Sequence, residues 1–244
     1  MRPFSCTSLL AVLLVVHGPT ARSLQAQKDS VRGGEQTDAI RCRPEGRGPF
    51  PAVVWNHGRV ADRTTFERAR QFGWKRICEA LAADGFFAIV PIREFERDTR
   101  PQDIPYNQRE LGRAIDAVKR LQDVDPSRVA LMGHSRGGLL TLLVGLERRD
   151  LKALILTAPA EIPPYFAQAV GRISRVDVPV LQLVEEGDEM GSVGAVAALD
   201  KALRSRGKDV RTLRYNRGGG HFLFTRVDYW WDDLRVFLRE KVAS

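Results

Sequence analysis

From Pro51 onward the chain alternates short, β-rich apolar runs with longer segments of helical periodicity, and this alternation constrains the fold more than any other feature. Six runs read as strands: Ala52 to Trp55, Phe86 to Pro91, Arg128 to Met132, Ala153 to Thr157, Val178 to Val184 and Val210 to Tyr215. Between them, Arg109 to Gln122 places Leu111, Ile115, Val118 and Leu121 on one apolar stripe, the spacing of an amphipathic helix. Thr65 to Asp84, Gly137 to Glu147, Val193 to Arg206 and Tyr229 to Val242 carry similar patterns. Short, β-rich apolar runs alternating with helices predict an α/β fold, a mostly parallel central sheet with helices on both faces. Residues 27 to 48 are polar and glycine-rich, with one short strand expected at Ala39 to Arg43, so the N-terminal edge of the sheet should be reduced.

Residues 1–26 stand apart from this pattern. Arg2 precedes an apolar run, Leu9 to Val16, followed by the breaking residues His17-Gly18-Pro19 and then Thr20-Ala21. The run is far shorter than the ~20 residues that span a bilayer and reads as a secretory signal peptide. Cleavage fits after Ala21 or Ala26, leaving residues 27–244 as one domain in a secreted or periplasmic protein, with no membrane span. Removing Arg2 and Arg22 lowers the chain's charge of +8 to +6, 36 basic against 30 acidic side chains. No basic stripe interleaved with aromatics accompanies that excess, so nucleic acid is not an expected partner. Cys42 and Cys78 remain; their spacing does not say whether they pair, and no Cys/His cluster predicts a metal.

The chemistry centres on Gly133-His134-Ser135-Arg136-Gly137. This GxSxG follows an apolar strand and opens a helix, the context that makes the motif meaningful: a sharp turn exposes the serine at a helix N-terminus, and flanking glycines relieve crowding. A serine hydroxyl needs a base to take its proton. With His17 in the signal, three histidines remain. His134 adjoins the serine and must point elsewhere, and His57 ends the first strand and is expected to pack or hydrogen-bond there. His221, after the sixth strand in Gly218-Gly219-Gly220-His221-Phe222, is the expected base. Between serine and histidine, the acidic turn Glu185-Glu186-Gly187-Asp188-Glu189 follows the fifth strand; Asp188 fits best as the carboxylate that orients the imidazole, with three glutamates beside it as alternatives. Oxyanion donors are expected from the backbone N–H of Arg136, next after the nucleophile, and of Arg59 in the loop after the first strand. The segments Glu94 to Gln108 and Glu161 to Val176, rich in prolines and aromatics, are expected to wall the substrate pocket, and Arg59, Arg93 and Arg136 near the same edge hint at a substrate carrying a carboxylate.

The ordered set Trp55-Asn56-His57-Gly58, Gly133 to Gly138, Gly187-Asp188 and Gly220-His221-Phe222 resembles the dienelactone hydrolase branch of the α/β-hydrolases, over about Pro44 to Lys241. The prolyl oligopeptidase catalytic domain is similar to the same pattern. The resemblance implies an α/β-hydrolase fold, a catalytic triad of Ser135, Asp188 and His221, no metal or other cofactor, and hydrolysis of a small-molecule ester or related acyl bond. Some members of that branch use a cysteine nucleophile where this chain has Ser135, so carboxylesterase chemistry is expected rather than action on dienelactone itself. The alternatives are a small serine peptidase or acyl-peptide hydrolase, and a non-catalytic binding protein, for which loss of a triad member would be the sign; none is missing.

Overall fold

The computed structural model describes residues 38–244; the expected signal peptide, 1–26, lies outside the described residues. Seven strands form one sheet: β1 (Ala39–Cys42), β2 (Phe50–Asn56), β3 (Phe87–Pro91), β4 (Val124–His134), β5 (Ala153–Thr157), β6 (Val180–Glu185) and β7 (Val210–Tyr215). Their spatial order is β1-β3-β2-β4-β5-β6-β7. β1 runs antiparallel to β3, and every other neighbouring pair is parallel. The expected six-stranded parallel core is therefore present, extended at its N-terminal edge by a single short antiparallel strand.

Alternate residues along each strand feed two separate cores, because side chains on a strand point to opposite faces. Val53, Trp55, Ala88, Val90 and Met132 pack under α2 (Trp74–Ala83) and α7 (Trp231–Leu238). Ala52, Val54, Ile89, Val129 and Leu131 pack under α3 (Ile104–Lys119), α4 (Arg136–Gly145) and α6 (Ser192–Ser205). All ten residues of α4 are buried, so this helix lies at the centre of its layer.

Three elements depart from the sequence reading. The helix expected over Thr65 to Asp84 is split: α1 (Arg63–Arg68) is capped by the Asp62 carboxylate, which accepts from the Thr65 N–H at 2.8 Å, and a π-helical turn at Ala69–Gly73 separates it from α2. The helix expected from Arg109 starts at Ile104, since Pro105 in the first turn has no N–H to lose there. The stretch Glu161 to Val176 holds a short helix, α5 (Tyr165–Gly171).

Cys42 at the end of β1 and Cys78 in α2 form a disulfide, with Cα atoms 5.6 Å apart. It ties the edge strand to the helix covering it. The two cysteines are 36 residues apart in the chain, and a loop of that size stabilises the fold by about 3–4 kcal/mol in the chain-entropy picture. We expect the double variant Cys42→Ala/Cys78→Ala to melt roughly 10 °C lower by circular dichroism; an unchanged Tm would mean that the bridge contributes nothing.

Candidate active site

The parallel strands end on one edge, and there β4 turns directly into α4. Ser135 occupies the turn with φ 54° and ψ −120°, a backbone conformation that costs a non-glycine residue of order 1–3 kcal/mol and must be held by its surroundings. The Ser135 N–H donates to Thr157 O at 3.0 Å, and its carbonyl accepts from Leu139 N and Ala160 N at 3.1 and 3.0 Å. Glycine is required on both sides for steric reasons. A Cβ on Gly137 would sit 2.0 Å from Asn56 O, and one on Gly133 would sit 2.2 Å from Gly137 O.

His221 follows β7 through the glycine run. Gly218 and Gly220 have φ of 73° and 59°, values open to glycine at little cost. The run brings the imidazole back over the sheet edge: His221 Nε2 lies 2.9 Å from Ser135 Oγ, and His221 Nδ1 lies 2.7 Å from Asp188 Oδ2. These partners fix the tautomer, Nδ1–H donating to the carboxylate and Nε2 accepting from the hydroxyl. The other Asp188 oxygen accepts from the N–H groups of Met190 and Ser192 at 2.8 and 3.4 Å. The structure thus brings together Ser135, His221 and Asp188, three residues proposed from sequence.

The neighbouring acids do different work. Glu185, fully buried, accepts from Arg217 N (2.6 Å), Gly219 N (3.2 Å) and the Tyr229 hydroxyl (3.0 Å). Burial opposes its charge, but these donors outweigh it and hold the carboxyl below its ordinary value. Glu189 accepts from His221 N at 3.3 Å. Both therefore anchor the loop carrying the imidazole, a role the sequence reading did not separate from that of Asp188; the one signal for Glu185 was an acid ending an apolar strand.

Arg136 is the first residue of α4, so its N–H is among the donors a helix leaves without an intrahelical partner. Arg59 lies in the loop after β2, on the wall of a cleft of about 570 Å³ that includes Ser135 and His221. The rest of that wall corrects the sequence reading: it comes from Gly58 to Asp62, from α1, the π-helical turn and the start of α2, and from His134, Met190, Phe222 and Thr225, with no residue of Glu94 to Gln108 or Glu161 to Val176. The three expected arginines also separate. Arg93 and Arg136 are buried in internal contacts, Arg136 donating to Arg100 O at 2.9 Å, and Arg59 alone of the three lines the cleft.

Of the remaining histidines, His57 stacks on Trp74 with ring centroids 3.9 Å apart. Burial first, then the Arg93 charge, holds its pKa well below the usual imidazole value. His134 lies 4.8 Å from the His221 ring and is pushed down to about 3, by burial and then by the charge of His221.

Comparison with known proteins gives the family and the fold. A model of the dienelactone hydrolase family matches residues 69–229. Esterase EstD of Thermotoga maritima is 31% identical over 122 residues, 49% of this chain and 29% of the esterase. Cutinase est2 of Thermobifida alba is 27% identical over 188 residues, 72% of this chain and 57% of the cutinase. The chain thus matches 29% and 57% of the lengths of these two relatives. Among solved structures, a putative dienelactone hydrolase from Klebsiella pneumoniae superposes with a TM-score of 0.68 at 19% identity, covering 85% of this chain and 94% of that one, which establishes the α/β-hydrolase fold.

The two buried neutral rings bear on acid stability. A histidine kept neutral in the fold but free to charge when unfolded, at ~6.5, stabilises fully above that pH and progressively less as pH falls towards its folded value. For His134 the window runs from ~6.5 down to about 3. We expect urea unfolding to show a steeper loss of stability between pH 7 and pH 4.5 in the wild type than in His134→Gln, by roughly 2–3 kcal/mol; parallel losses would contradict a neutral His134.

Proposed function

The chain belongs to the dienelactone hydrolase family, and from that premise we propose that it is a serine hydrolase that cleaves a carboxylic ester or related acyl bond of a small molecule. The observation that carries the proposal is the unbroken contact from the Ser135 hydroxyl through His221 to Asp188, at 2.9 and 2.7 Å. The relatives named esterase and cutinase support an ester as substrate.

In this reading His221 Nε2 takes the Ser135 proton as the oxygen attacks the acyl carbon, and Asp188 stabilises the imidazolium formed without taking the proton itself. The N–H groups of Arg59 and Arg136 hold the oxyanion. The leaving alcohol then takes the proton from His221, freeing the product and leaving an acyl-serine. Water, deprotonated by the same imidazole, attacks the acyl carbon; the acyl–Ser135 bond breaks, the serine oxygen takes the proton back from His221, and the acid is released.

A fluorophosphonate probe should label the wild type at one site and leave Ser135→Ala unlabelled, and His221→Ala should lose about 10⁴-fold or more in kcat on a p-nitrophenyl ester. Equal labelling of wild type and Ser135→Ala would discard the enzyme reading. Efficient cleavage of an aminoacyl p-nitroanilide with poor ester turnover would instead favour the peptidase alternative.

We also infer that the protein is exported, to the periplasm or beyond the cell. The basic and apolar order of residues 1–26 supports this, as does the Cys42–Cys78 disulfide, a bond that persists in oxidising compartments. Expressed with its own N-terminus in a bacterium, the chain should be recovered outside the cytoplasm beginning at Arg22 or Gln27. Recovery solely in the cytoplasm, starting at Met1, would overturn the inference.

A further inference from the structure

We propose that Arg93 is a positioning residue for the oxyanion-binding loop: its buried guanidinium fixes the peptide that presents the Arg59 N–H to the acyl oxygen. The inference rests on the hydrolase reading above and extends it to a residue that touches neither Ser135 nor His221.

Arg93 follows β3 and is only 7% exposed. Its guanidinium reaches three consecutive residues where the chain leaves β2, the last of the strand and the first two of the loop. Nη1 donates to Asn56 Oδ1, and Nη2 donates to His57 O at 2.6 Å and to Gly58 O at 3.3 Å. The main-chain N–H of Arg93 adds a fourth contact, donating to His57 Nε2 at 3.2 Å. Since Nε2 accepts, Nδ1 of the neutral ring carries the proton and donates to Gly58 O at 2.8 Å. The Gly58 carbonyl is therefore held from two directions, by Arg93 and by a ring that Arg93 itself orients.

A trans peptide is planar, with its C=O and N–H pointing in opposite directions. The carbonyl of Gly58 and the N–H of Arg59 belong to one such unit. Holding the carbonyl towards Arg93 and His57 turns the Arg59 N–H to the other side of the strand. The loop meets the nucleophile closely: a Cβ on Gly58 would lie 3.3 Å from Ser135 Cβ. The opposite wall of the oxyanion site is tied to the same network, because Asn56 Nδ2 donates to Gly137 O in α4 at 3.2 Å, one residue beyond Arg136.

The residue type follows from the geometry. A planar fork with five donors can serve an amide oxygen, two carbonyls and a carboxylate at once, whereas a lysine ammonium has three donors on one atom. Asp98 supplies the countercharge, accepting from Nε at 2.8 Å and Nη2 at 3.0 Å. That ion pair alone could be structural, so the decisive measurement must read the oxyanion site. Arg93 and Asn56 also line a second cleft of about 700 Å³, which shares no lining residue with the one at Ser135. This cleft gives a small cation access to the guanidinium's place.

Arg93→Lys keeps a cation opposite Asp98 but loses the fork. Measured per fluorophosphonate-labelled site, we expect kcat on a p-nitrophenyl ester to fall about 10²-fold with KM within about threefold, as for loss of one oxyanion donor. Affinity for a phenylboronic acid, whose serine adduct places an anionic oxygen in the same site, should fall by a similar factor. In Arg93→Ala, millimolar guanidinium should restore kcat at least tenfold where methylammonium does not. Unchanged kcat and boronate affinity per labelled site in Arg93→Lys would overturn the proposal. So would failure of both variants to give any labelled site with or without guanidinium, which would assign Arg93 to folding alone. A wild type that takes no label or hydrolyses no ester would instead sink the hydrolase reading, so the two failures remain distinct.

Discussion

The site is built on a turn with no room for one more carbon. β4 reverses into α4 so tightly that Gly137 packs against the main chain of β2 and Gly133 packs against Gly137, each at distances a Cβ cannot occupy. This close packing sets the height of Ser135 above the sheet and forces its φ to 54°. It also brings the Asn56 side chain within hydrogen-bond reach of Gly137 O. Because α4 is buried along its whole length, the turn cannot relax by lifting the helix. The strain is borne by the two cores on either side of the sheet.

Given that fixed serine, the other parts of the site are held by main-chain contacts on separate strands, each secured by its own buried charge. Glu185 gathers the N–H groups of Arg217 and Gly219 and so holds the loop that carries His221. Asp188 spends one oxygen on the imidazole and the other on the N–H groups of Met190 and Ser192. Arg93 does the converse for the loop after β2, donating to carbonyls rather than accepting from amides. Glycine runs and loops would otherwise be free to move. A buried carboxylate or guanidinium with several main-chain partners is costly to displace, since moving it strands a charge away from water.

Much of this was legible in the sequence, and the rest was hidden for identifiable reasons. Strand positions were readable because parallel strands are apolar on both faces, and the elbow was readable because its steric demand leaves a glycine pattern. Chain order pointed to the acidic turn after the fifth strand, and of its four acids it is the Asp188 side chain that meets the His221 ring. The cleft walls were misjudged. Proline and aromatic content marked Glu94 to Gln108 and Glu161 to Val176, yet the walls come from the π-helical turn and from Phe72, Met190 and Phe222, which remain 59% exposed. Periodicity treats Thr65 to Asp84 as one helix and cannot register the wider turn that displaces its middle. Arg93 reads from sequence as one of three arginines near the substrate edge, since composition cannot distinguish an arginine facing a ligand from one satisfied by four internal acceptors.

The three histidines beside the cleft show how partners, rather than residue type, assign a role. His57 and His134 are buried without a carboxylate partner, and both are held neutral. His57 faces a guanidinium, and the His134 Nδ1 has only the Thr157 carbonyl at 3.2 Å. His221 alone has a carboxylate at 2.7 Å, which can compensate a positive ring. In the proposed reaction, a proton taken from Ser135 therefore has one place to rest. It does not pass on to His134, although that ring is only 4.8 Å away, because burial holds His134 neutral, its pKa pushed down to about 3.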